Sequence, residues 1–202
     1  FFWQIALTPE KALFWSRVLM AGAIFIPISY IHFLLAWLEK DKNKETFLKL
    51  SYILFFCFFL ISFGPLFVEN VTRKLDFPFW PNPGIFYHIF LLFWFLYLFY
   101  SLYILIKEIK KSYGLKQLQL KYILFGTLVG YSGGIINYLL WYNIPVPPIG
   151  NWTTSFYLSV IAYVILRYHL FDIKIVLTEF SVGVMAIVLL FQIVIADFLW
   201  IK

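Results

Sequence analysis

Three histidines, one cysteine and a few polar residues inside apolar stretches are the side chains of this 202-residue chain that have chemistry to offer. His32, His88 and His169 stand in or at the ends of separate apolar stretches, so they do not form the close ligand spacing of a motif such as H-E-x-x-H. No P-loop occurs, and no metal, cofactor or catalytic set is expected. Cys57 sits mid-stretch with no second thiol to pair with, which leaves it the role of a small core residue. Every lysine falls between apolar stretches or at their ends, so the mid-helix amine that a retinal Schiff base needs is missing. Binding remains. Polar groups at membrane depth are costly and tend to face a bundle interior or water, which singles out Arg17, Asn137, Gln192 and Asp197. Arg17, about one turn inside its stretch, has the alternative of snorkelling to the interface, and Asp197 that of hydration at the outer surface.

The elements that position these groups follow from composition. Hydrophobic residues make up 63% of the chain, charged residues 13%, and mean hydropathy is +0.86, which excludes a soluble domain of this size. A hydrocarbon core of about 30 Å takes about 20 apolar residues per helix. Stretches of that order lie near 13–38, 48–68, 85–106, 118–142, 152–168 and 177–200, which predicts an all-α, polytopic helical membrane bundle with about six transmembrane helices. They are apolar on every face, unlike the alternating strands of a membrane barrel. Trp15, Trp37, Trp80, Trp141, Tyr142 and Trp152 fall near the stretch ends, where amphipathic rings anchor at the headgroups.

Charge sets the orientation. Lys40, Lys42, Lys44 and Lys49 fill one connection, Lys107, Lys110, Lys111, Lys116 and Lys121 another, and Arg167 and Lys174 a third. The opposite side holds only Lys11, Arg17, Arg73, Lys74 and Lys202. The positive-inside rule places the lysine-rich connections in the cytoplasm, so the first stretch runs inward. The net charge of +6 is thereby topogenic; nucleic acid is not an expected partner, and anionic lipid of the bilayer is.

Several phrases in order carry a resemblance: Phe14-Trp15-Ser16-Arg17 followed by Pro27 and Ile31-His32-Phe33; Lys116-Gln117-Leu118-Gln119 leading to Gly126; Gly133-Gly134-Ile135-Ile136-Asn137-Tyr138 followed by Pro145, Pro147, Pro148 and Gly150; and the exit from Ala162 through Arg167-Tyr168-His169-Leu170-Phe171-Asp172. Over residues 8–173 the chain resembles the N-terminal seven-transmembrane sensor region of bacterial membrane-bound histidine kinases. The resemblance implies a sensory module of a two-component system in the bacterial cytoplasmic membrane, working as a homodimer through its kinase. Residues 1–10 would then be the stump of a preceding helix with its outer loop, 11–174 the third to seventh helices, and 175–202 an additional outward-crossing helix. Pro27, His32, Arg167 and Asp172 are the expected signal-coupling residues, with His32 offering its ring to a carbonyl that Pro27 frees. A transporter, or a structural subunit of a membrane complex, is the alternative reading.

Two outer connections, Glu69 to Gly84 and Tyr142 to Trp152, are rich in proline and aromatics and are expected as loops roofing a shallow pocket. Arg17, Asn137, Trp80 and Trp152 are its candidate ligand-binding residues, for a small-molecule or lipid-like ligand. Gly126, Gly130 and Gly134 recur every four residues, a strip that permits close helix approach, within this chain or between two copies.

Overall fold

The computed structural model describes residues 2–168. Helix α1 (Pro9–Ala23) starts where the Thr8 hydroxyl accepts a bond from the Lys11 amide, with Pro9 at the first turn, the one place where its missing N–H costs nothing. It breaks at Ile24 and Phe25 and resumes as α2 (Ile26–Trp37). Pro27 explains the break, since it has no N–H to give the carbonyl of Ala23. Together they make one apolar span of 29 residues, Pro9–Trp37. A short 3-10 turn, Lys42–Lys44, leads into α3 (Glu45–Ser62); α4 (Ile85–Lys111), α5 (Gly114–Trp141) and α6 (Gly150–Tyr168) are the other helices among the described residues.

Among the described residues four spans are long and apolar enough to cross a membrane: Pro9–Trp37, Lys42–Ser62, Ile85–Lys111 and Gly114–Trp141. The chain is a helical membrane bundle. α6 falls where the fifth span was expected, but its first turns carry Asn151, Thr153, Thr154 and Ser155, which keep its apolarity lower. The expected span at 177–200 lies outside the described residues, as do His169, Asp172, Gln192 and Asp197.

The second span was expected to run to residue 68 and stops at Ser62, just ahead of Gly64 and Pro65. The connection beyond it departs further from expectation. In place of a loop from Glu69 to Gly84 stands an antiparallel hairpin of β1 (Val68–Lys74) and β2 (Phe77–Pro83). Pro78, Pro81 and Pro83 argue against a strand in sequence, but a two-stranded ribbon needs inward N–H groups only, and its register shifts twice along its length. Asn82 seals the pairing by donating to Asn70 (2.6 Å) and Thr72 (2.9 Å). At the turn Leu75 takes a left-handed φ of +52°. From the hairpin the chain re-enters the bundle at Gly84, where an added Cβ would collide with the carbonyls of Leu66 and Pro65.

The ends of the bundle sort by charge. Lys40 and Glu108 form a salt bridge, and the Lys116 ammonium lies 4.2 Å over the Trp37 ring, so two lysine-rich connections share one end. By the positive-inside rule that end is cytoplasmic, and the hairpin is on the outer face. α3 buries Leu48, Ser51, Phe55, Phe58 and Ser62, a stripe spaced by three and four, against the core. Cys57 falls off that stripe and is exposed, so it is not the core residue expected. Trp80 and Trp141, expected as headgroup anchors, are buried within the protein instead, at 4% and 5% exposure, because the hairpin that carries Trp80 folds onto the bundle.

Two substitutions test these backbone constraints by thermal unfolding in detergent. Gly84→Ala should cost about 1–3 kcal/mol or prevent folding, as overpacking against backbone does. Leu75→Asn should stabilise by up to about 1 kcal/mol, because asparagine tolerates the left-handed turn that strains leucine.

Candidate functional site

The hairpin is fastened to the bundle by two cations. Lys74, at the end of β1, is only 7% exposed and turns inward onto the last turn of α5. Its Nζ donates to the carbonyls of Leu140 (3.0 Å) and Trp141 (3.0 Å) and, at 3.4 Å, to that of Pro81 in β2. The last carbonyls of a helix have no partner within the helix and carry the negative end of its dipole, so an ammonium there satisfies both needs. Burial pushes the Lys74 pKa below that of an ordinary lysine, while the three carbonyl acceptors favour the charged amine. On the other flank Arg17 of α1 donates through Nη2 to the Val68 carbonyl at 3.0 Å. One hairpin thus bonds to the second half of α1 and to the end of α5.

Beneath it lies a cavity of about 190 Å³, lined among others by Trp3, Leu19, Met20, Trp80, Asn137 and Trp141. Trp80 meets Trp3 edge to face at 4.8 Å, and its Nε1 is buried without a hydrogen-bond partner among the described residues. Trp141 stacks in parallel on Tyr87, with centroids 4.2 Å apart. Of the four residues expected at an outer ligand site, Trp80 and Asn137 line this cavity together. Arg17 does not line it, being held on the Val68 carbonyl, and Trp152 stands 83% exposed on α6, away from it.

From α5 the contact passes to α6. A Cβ added at Gly126 or Gly130 would lie 3.3 Å or 3.0 Å from the Tyr157 ring of α6, whereas Gly134 faces Trp94 of α4 at 3.6 Å. The tightest approach is one that the four-residue spacing does not mark. A Cβ at Gly133 would collide with the Thr153 side chain, and one at Gly150 with the backbone of Gly133. There α5 and the start of α6 touch backbone to backbone.

At the cytoplasmic end His32 does not turn to a carbonyl freed by Pro27; its Nδ1 bonds the Tyr52 hydroxyl at 2.9 Å and ties α2 to α3. Pro27 is buried at the first turn of α2, and Arg167 is exposed in the last turn of α6. Asp172 lies outside the described residues. Sequence reasoning missed Lys74 and Gly133. The signal for Lys74 was the spacing of two residues, Leu75 and Asp76, between two runs able to pair as a hairpin.

The family described as the N-terminal 7TM region of histidine kinase matches residues 2–174. No curated protein and no solved structure matches the chain.

Lys74→Met keeps the length of the side chain and removes the donor. It should lower stability by about 1–3 kcal/mol, the cost of leaving the Trp141 carbonyl unpaired, since the Asn143 amide still serves that of Leu140. Hydrogen exchange should show faster opening of the last turn of α5, with the Lys40 to Glu108 end unchanged.

Proposed function

The chain belongs to the family of N-terminal 7TM regions of histidine kinases, and from that premise we propose how it relays a stimulus. It is a sensory membrane region. The relay runs from the outer hairpin through Lys74 to the end of α5, across the Gly133 to Gly150 contact into α6, and along α6 to Arg167 and the cytoplasmic output. The observation that carries this reading is the set of Lys74 bonds to Leu140 and Trp141, because it makes the hairpin and α5 one mechanical unit. A small or lipid-like molecule arriving from the outer face meets Trp80 and Asn137 under that hairpin. It biases the output only if it binds two conformations with different affinity.

In this reading residues 11–174 are the third to seventh helices of the sensor, in the cytoplasmic membrane of a bacterium. The kinase partner is a second copy of the same protein, and the signal leaves as phosphate through a two-component system. The Pro27 break and the His32–Tyr52 bond let the cytoplasmic half of the first span follow α3 rather than α1.

The test uses the full-length kinase in lipid vesicles. Lys74→Met should change basal autophosphorylation about fivefold or more, in line with coupling energies of about 1–3 kcal/mol, while Arg73→Ala, its exposed neighbour, leaves the rate as it is. A Lys74→Met kinase that phosphorylates like its parent would sink the relay.

A further inference from the structure

A second cavity lies deeper, between α2, α4, α5 and α6, with a volume of about 250 Å³. Its walls include the aromatic rings of Tyr30, Tyr131, Tyr138, Tyr157 and Trp94. Gly130 and Gly134, one turn apart on α5, complete the wall and keep it open, since neither contributes a side chain. No charged residue lines it among the described residues.

Two of the tyrosine hydroxyls differ in a way that points to a ligand. The Thr127 hydroxyl donates its only hydrogen to the Ile123 carbonyl at 2.7 Å, so in the bond between Tyr30 and Thr127 the Tyr30 hydroxyl is the donor. Its proton is used. The Tyr131 hydroxyl is buried and has no hydrogen-bond partner among the described residues. At this depth water does not compete for polar groups, and an unmade hydrogen bond is costly. The Tyr131 ring is held in place by Trp94, at 5.0 Å between centroids, and by Tyr30, at 5.6 Å, so the hydroxyl does not simply turn away.

We propose that this cavity binds a small, neutral, ring-bearing molecule dissolved in the membrane, whose single acceptor oxygen accepts a hydrogen bond from the Tyr131 hydroxyl. Neutrality follows from the uncharged walls, a flat or cyclic body from the aromatic rings, and the acceptor from the unpartnered donor. Small size follows from a volume below the range of about 300–1,000 Å³ usual for drug-sized ligands. The site is independent of the hairpin relay, and its test reads binding alone.

Benzophenone has this chemistry: two rings, no charge and one carbonyl oxygen, and near-ultraviolet light fixes it covalently where it sits. With the purified chain in lipid nanodiscs, labelling should be saturable and map to the segments bearing Trp94, Tyr131 and Tyr157. Gly134→Leu, which fills the space in front of Trp94, should abolish the saturable part. Tyr131→Phe keeps the ring and its packing, and should weaken saturation about 5–10-fold, the value of one hydrogen bond. Diphenylmethane, the same molecule without the oxygen, should compete with benzophenone poorly against the parent protein and equally well against Tyr131→Phe. Labelling that stays linear with concentration, or that Tyr131→Phe leaves unchanged, would overturn the proposal. Saturable labelling in detergent that vanishes in nanodiscs would overturn the small-molecule occupant, since a lipid ester would then hold the site.

Discussion

The outer half of this bundle depends on one ammonium group at one helix end. Helix α5 finishes at Trp141, where the Asn143 amide reaches the Leu140 carbonyl at 3.2 Å but the helix has no further turn to serve the Trp141 carbonyl, under a hairpin that covers both. Lys74 supplies the donors, and in doing so fixes where the hairpin sits. Arg17 on the Val68 carbonyl and Gly84 against Leu66 and Pro65 fix the other corners. The cavity lined by Trp80 and Asn137 exists because these three attachments hold a ribbon over the helix ends.

Deeper in the bundle the same demand for partners is met by hydroxyls. Ser16, Ser51, Ser101 and Thr127 each donate to the carbonyl four residues earlier, which leaves their oxygens free to accept from another helix. Tyr97 of α4 donates to Ser51 of α3 at 2.5 Å, and Tyr30 of α2 to Thr127 of α5. Lipid gives no hydrophobic drive for helices to associate, so such bonds and close packing at glycines hold them together. Tyr131 stands outside the pattern, which is what makes its cavity informative.

The helices, though not all their ends, were legible because a bilayer imposes a length and a composition, and the lysines mark one side. The spans 85–106 and 118–142 fall on α4 and α5, while of the glycines spaced by four, Gly126 and Gly130 face Tyr157 of α6 and Gly134 faces Trp94 of α4. The hairpin was not legible, because three prolines in β2 outweigh the pairing signal and a bulged ribbon hides its alternation. With the hairpin went Lys74, which by sequence is only a charge in an outer loop. Cys57 was misjudged for a related reason: mid-stretch position says nothing about which face of α3 turns inward. Of the expected ligand residues, Trp80 and Asn137 line one cavity only because the ribbon folds back, bringing together positions 57 residues apart in sequence.

A relay through Lys74 requires the hairpin and the inner end of α6 to move as one body. Spin labels at Asp76, exposed at the hairpin tip, and Arg167, exposed in the last turn of α6, report that directly once Cys57 is replaced by serine. The expected result in lipid nanodiscs is one narrow distance distribution that broadens or splits on Lys74→Met. An identical narrow distribution in both proteins would contradict the relay.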